Sequence, residues 1–219
     1  MDTTSKYNRS YHIKFSPGAT SDDKIADDIT CLIGREIVIT EKLDGENTGM
    51  KNEGVYARSH GTFTTSAWSR EVRQLHLMKV KDNLDENTFI FGENMEGIHS
   101  IEYTNLDSYF YMFGIRDNLV WLSWDEIEEY SYLLDIPTVP VLFRGIVNSE
   151  KELRDLVEGL VKYQSKLGGD IEGVVVRISD RFNDYDFKKS LQKWVRPNHV
   201  TTDTHWTRNW KKAKLKNGY

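Results

Sequence analysis

This chain has almost nothing with which to staple itself or cross a lipid bilayer. Its 219 residues include one cysteine, Cys31, which excludes an internal disulfide and a multi-cysteine zinc site. No apolar run approaches the roughly 18–20 residues of a membrane helix. Met1 to Ser10 lacks the apolar stretch of a secretory signal. There is no repeat, no low-complexity tract and no Pro/Gly-rich linker. Nor is there an excess of positive charge: the net charge is −5, so the composition carries no global sign of nucleic-acid binding. These absences lead us to expect a soluble, cytoplasmic protein in a reducing compartment, without a membrane partner.

What is present suffices for a packed core. Hydrophobic residues make up 38% of the chain and aromatic residues 12%, which argues against disorder. The length suits one large domain or two small ones. We place at most one boundary, near residue 200, with residues 201–219 forming a tail. That tail concentrates Arg208, Lys211, Lys212, Lys214 and Lys216 around Trp206 and Trp210. Such a stretch suits phosphate contact and base stacking, and equally a solvated terminal helix.

Apolar spacing and turn residues predict the elements. A helix over 22–33 would begin at Thr20 or Ser21, carry acids in its first turn and stop at Gly34, with Cys31 in the core. Strands are expected at 36–42, 48–51 and 54–59, then at 89–91 and 109–115, with Arg116-Asp117-Asn118 turning into Val120-Trp121-Leu122. Residues 67–80 are helical in pattern. Ser123 should cap a helix over 124–134. Asn148 or Ser149 should open another, to about Lys166, closed by Gly168-Gly169. Residues 173–178 and 193–195 complete the strands. The pattern is α+β, with antiparallel sheets flanked by helices.

One stretch carries chemistry. Glu41-Lys42-Leu43-Asp44-Gly45-Glu46-Asn47 directly follows the β-branched run Ile37-Val38-Ile39-Thr40. A lysine at a strand end beside a glycine can present an amine to a phosphate. The same residues also suit a surface turn, since Asp-Gly is a strong turn signal. Further along come Ala57-Arg58-Ser59, Phe91-Gly92-Glu93, the aromatic run Tyr109 to Ile115, Glu172-Gly173-Val174-Val175-Val176-Arg177 and Lys193-Trp194-Val195-Arg196.

In this order the motifs resemble the covalent nucleotidyltransferase superfamily of polynucleotide ligases and mRNA capping enzymes, and within it the small ATP-dependent RNA ligases. The resemblance spans roughly residues 11–206. It implies a nucleotidyltransferase (adenylation) domain over 1–200, an ATP-grasp-like ligase core. It implies that Lys42 attacks the α-phosphate of ATP to form lysyl-AMP. AMP then passes to an RNA 5′-phosphate, and a 3′-hydroxyl is joined to that end. Glu41 would accept from the adenine amino group, and Asn47 would contact phosphate or metal-bound water. Arg58 would fork onto phosphate. Glu93 would bind the ribose hydroxyls, with Gly92 admitting the sugar. Phe113 aligns with the purine-stacking aromatic. Tyr111 should lie on the same strand face, so either ring can stack. Glu172 would hold Mg²⁺ or Mn²⁺, and Lys193 would neutralise the α-phosphate. Arg196, one place out of alternation, should face away, and His99 is read as structural.

A lysine amine is neutral only about once in 2,500 molecules at pH 7, and adjacent carboxylates lower that fraction further, so the chemistry demands a cation. The short stretch after Arg196 leaves no room for an OB-fold, which argues for a minimal RNA ligase, as in phage or bacterial RNA repair (acting in the host cytoplasm if phage-encoded). The alternatives are a DNA-nick ligase, a GTP-using capping-type enzyme and a non-catalytic nucleic-acid end-binding module.

Overall fold

The computed structural model describes residues 6–57, 62–197 and 206–218. In chain order the strands are β1 Tyr11–His12, β2 Glu36–Lys42, β3 Glu46–Lys51, β4 Gly54–Ala57, β5 Thr88–Asn94, β6 Phe110–Asp117, β7 Val120–Trp121, β8 Val141–Ile146, β9 Gly173–Ile178, β10 Phe182–Asn183 and β11 Leu191–Val195. The α-helices are α1 Arg70–Leu75, α2 Trp124–Leu134, α3 Glu150–Leu160 and α4 Phe187–Ser190. The α+β expectation holds. One sheet has the order β1-β11-β9-β2-β8 and the other β10-β7-β6-β5-β3-β4. Only β1–β11 among these pairings is parallel.

Strand β2 is an inner strand of the first sheet, between β9 and β8, and is buried on both faces, which is why it reads as a continuous apolar run. Ile37, Val38 and Ile39 are wholly buried, each worth about 1.5–3 kcal/mol of burial. Ile37, Ile39, Val174 and Val176 cluster with Leu153 and Val157 of α3. Ile90, Met112 and Ile115 of the second sheet cluster with Trp124 and Ile127 of α2. Ser123 caps α2 as expected, in a reciprocal arrangement with Glu126.

The helix expected over 22–33 does not form. Lys24 carbonyl and Ala26 N–H pair with His12, so this segment runs extended beside β1. Asp28 accepts from the Thr30 N–H and hydroxyl, and Asp23 from those of Thr20. Short polar side chains have captured the backbone groups a helix would use. Only Thr30–Leu32 makes a 3₁₀ turn, and Cys31 within it is half-buried rather than core. Helix α3 stops at Leu160, short of Lys166; Gly168 and Gly169 instead close a later turn on Ser165. β8 was not expected. It forms the edge beside β2.

Residues 206–218 lie on the second sheet's loops. Ile98 N–H donates to Lys211 carbonyl and Ala213 N–H to Glu96 carbonyl, while Trp206 stacks on His99.

The two sheets are joined by Leu43-Asp44-Gly45, which carries the chain from β2 to β3. Asp44 fixes this crossing: its carboxylate accepts from the N–H groups of Ser100 and Ile101, both at 2.8 Å, and its own N–H donates to the Tyr103 hydroxyl. A Cβ at Gly45 would sit 2.6 Å from the Asn94 carbonyl oxygen, so no larger residue fits. Gly45→Ala should therefore lose about 1–3 kcal/mol of stability in urea unfolding. An unchanged midpoint would show that the crossing has slack.

Candidate active site

β2 and β9 pair with Lys42 opposite Gly173, which leaves Glu172 beside the lysine. Lys42 Nζ donates to Glu172 Oε2 at 2.5 Å. Burial pulls the amine's pKa down, but the carboxylates of Glu172, Glu93 and Asp44 outweigh it and the net displacement is upward. In this state the amine is an ammonium, not a nucleophile.

The same sheet face holds a second amine. Thr40 pairs with Val175, and Val175 with Lys193, so the three stand in one row across β2, β9 and β11. Lys42, two residues beyond Thr40, shares their face. All four line a cavity between the sheets, as do Asn47, Glu93 and Phe113. The enclosed part of the cavity measures about 120 Å³.

Glu93 comes from β5 of the second sheet and accepts from the Gly45 N–H. Its carboxyl is pushed up to about 8, first by burial and then by the nearby Glu172 and Asp44, with Lys42 opposing. Gly92 is demanded by packing. A Cβ there would meet Phe110 at 2.4 Å and the Tyr111 carbonyl oxygen at 2.5 Å, so this glycine admits the neighbouring strand.

The aromatic run on β6 carries an irregularity. β5 and β6 pair as Phe91–Gly114 and then Gly92–Met112, leaving Phe113 as an extra residue on β6. A bulge of this kind re-aims a side chain. Phe113 lines the cavity, while Tyr111 is buried in the core and donates its hydroxyl to Asp107.

Glu41 runs along the cavity, but its carboxyl accepts from Ser165 Oγ at 2.9 Å. Burial raises it to about 7, with Ser165 opposing, and its Oε1 has no hydrogen-bond partner among the described residues. Asn47 Oδ1 is likewise buried without a partner among them. Arg58 lies outside the described residues. Arg196 turns away to Asp170, as its spacing predicts. Sequence reasoning missed Arg177, whose position two residues after Val175 places it on the cavity face, and Tyr7, whose ring meets Phe113 edge-on.

Among the described residues no cluster of three or more acidic, His or Cys side chains is able to hold a metal. A hard divalent cation held partly by substrate phosphates needs only one or two carboxylates, and Glu172, beside Lys42, is the carboxylate expected to serve.

The RNA ligase family model matches residues 35–195, well over half of the sequence. The chain belongs to the RNA ligase family. Its fold is shared with a Lys→Ala mutant of Naegleria gruberi RNA ligase with ATP and Mn (TM-score 0.60, 17% identity, 90% of this chain and 57% of that one). It is shared with the same ligase with PPi (0.54, 17%, 90% and 60%). An archaeal ATP-dependent RNA ligase also matches (0.53, 12%, 87% and 48%). This RNA ligase family member thus spans less than two-thirds of the length of those chains. No curated protein sequence matches it. No helix among its described residues is long and apolar enough to cross a membrane.

Glu93 and Glu41 have folded-state pKa values above the ordinary 4.5. The fold therefore favours their neutral forms. That stability is fully present below about 4.5 and lost as pH rises through about 7 and 8. The unliganded protein's melting temperature should fall across this window. Glu93→Gln and Glu41→Gln should each flatten the fall, and curves parallel to the unsubstituted protein's would contradict the assignment.

Proposed function

We propose that the chain is an ATP-dependent RNA ligase in which Lys42 carries AMP. The observation that supports this most is the joint placement of two amines on one wall of the cavity, Lys42 and Lys193, with Glu93 and Phe113 also lining it. ATP is a substrate in this reading. The Naegleria ligase has been captured with ATP and Mn and with PPi, the nucleotide, cation and leaving group that the reading needs.

Neutral Lys42 Nζ attacks the α-phosphorus. The P–N bond forms, the P–O bond to pyrophosphate breaks, and the amine loses a proton. Phe113 stacks on the adenine, for about 1–3 kcal/mol. Glu93 accepts from the ribose hydroxyls, and Glu41 Oε1 is the acceptor open to an adenine amino group. Lys193, with Arg58, neutralises charge on the phosphate oxygens as it develops. Glu172 and Asn47 would hold Mg²⁺ or Mn²⁺, which would supply charge neutralisation there, and Glu172 so engaged would no longer keep Lys42 protonated. An oxygen of an RNA 5′-phosphate then displaces Lys42 to give A-5′-pp-5′-RNA. Attack by a 3′-hydroxyl on that phosphate joins the strand and releases AMP.

Incubation with α-labelled ATP and Mg²⁺ or Mn²⁺ should label the protein. Lys42→Ala should abolish the label, and a 5′-phosphorylated RNA nick should chase it into sealed product. Preference for GTP would shift the reading to a capping-type transferase, and sealing of DNA nicks alone to a DNA ligase. RNA binding without any covalent nucleotide would leave an end-binding module.

A further inference from the structure

The cavity's second amine is tied to an N-terminal segment outside the motifs discussed above. Lys193 lies 3.6 Å from Asp23 Oδ1. The same oxygen is 3.3 Å from Nε2 of His12, a side chain almost wholly buried. The other ring nitrogen of His12 is hydrogen-bonded to Ser16 Oγ at 2.9 Å, and that hydroxyl accepts from the Val195 N–H at 2.9 Å. Asp23 Oδ2 accepts from the N–H and hydroxyl of Thr20 at 3.1 and 3.0 Å. The path leaves β11 at Lys193, passes through the N-terminal segment and returns to β11 at Val195. The pairing of β1 with β11, with His12 opposite Lys193, holds the whole path in register.

A lysine amine on a four-carbon stem is poorly aimed unless something restrains it, since fixing such a side chain costs up to about 2 kcal/mol of rotamer entropy. A fixed carboxylate meets that cost before substrate arrives, and pre-alignment of this kind is worth large factors in rate. Each partner of the Lys193–Asp23 pair is about one-fifth exposed, so solvent screens it in part and it adds less to stability than a fully buried pair would. Asp23 is nonetheless held from three directions, by Lys193, His12 and Thr20.

We propose that Asp23, oriented by His12 and Thr20, is a positioning residue for Lys193, holding its ammonium at the cavity wall where the α-phosphate will lie. This rests on the role given above to Lys193. Asp23 itself touches no reacting atom.

The test compares single-turnover lysyl-AMP formation, across a range of labelled ATP concentrations, in the unsubstituted protein, Asp23→Asn, Asp23→Glu, Lys193→Ala and the Asp23→Asn/Lys193→Ala double variant. Asp23→Asn should slow the rate at saturating ATP by about 10–100-fold. The ATP concentration for half-saturation and the melting temperature should stay nearly unchanged. Asp23→Glu should restore part of the rate, and Asp23→Asn should cost nothing further once Lys193 is alanine. Multiplying losses in the double variant would overturn the proposal. So would an unslowed Asp23→Asn, or a loss that Asp23→Glu does not relieve. The last two comparisons decide the matter even if Lys193→Ala is too slow to measure. If the unsubstituted protein forms no lysyl-AMP, the nucleotidyl-transfer reading itself fails and the proposal falls with it.

Discussion

A lysine ammonium pressed against a carboxylate governs this molecule. Lys42 and Glu172 meet where β2 and β9 pair, and their contact fixes both the electrostatics and the resting chemistry of the cavity. Burial alone would push the amine toward neutrality, and the carboxylates around it prevent that. Removing one member of a fully buried pair costs about 3–5 kcal/mol. The cost here is lower, because the lysine side chain is 29% exposed. The pair therefore holds Lys42 in its protonated state, and the amine could act as the proposed nucleophile only once Glu172 found another partner.

That pair can face Glu93 only because the two sheets come close, and closeness is enforced by small residues. The crossing at Gly45 leaves no space for a Cβ beside the Asn94 carbonyl. Gly92 lets β6 pack its Phe110 ring against β5, at the place where the extra residue Phe113 swings into the cavity. One glycine sets the gap between sheets and the other admits the ring beside the bulge. Neither is needed for an unusual backbone angle.

These facts explain what the sequence disclosed. β2 and β9 were legible because strands buried on both faces read as uninterrupted apolar runs. α2 was legible because its cap is written in four residues. Lys42, Asn47, Glu93, Phe113 and Lys193 were expected together and do line one cavity. The helix over 22–33 was misjudged because its acidic and hydroxyl residues bond locally to the backbone instead of solvating a helix. The bulge was invisible because period-two alternation assumes perfect register. The links from Ser16 and Asp23 to β11 were beyond reach for a plainer reason. They join segments separated by most of the chain, and no local pattern records such contacts.

The two amines differ in how they are held, and the difference has a chemical consequence. Lys42 is balanced by Glu172, whose side chain is only 7% exposed, while Lys193 is balanced by Asp23, at 22%. On the proposed reading, an incoming triphosphate would compete with both carboxylates for their ammonium partners. Asp23 is satisfied by water, by His12 and by its bonds from Thr20 as well as by Lys193. Glu172 has little access to water, and a buried anion without a partner is costly. Lys42 can therefore be freed only if positive charge replaces it at Glu172. On the proposed reading, dependence on a cation would arise at Lys42, whereas Lys193 already stands at the cavity wall, held there by Asp23.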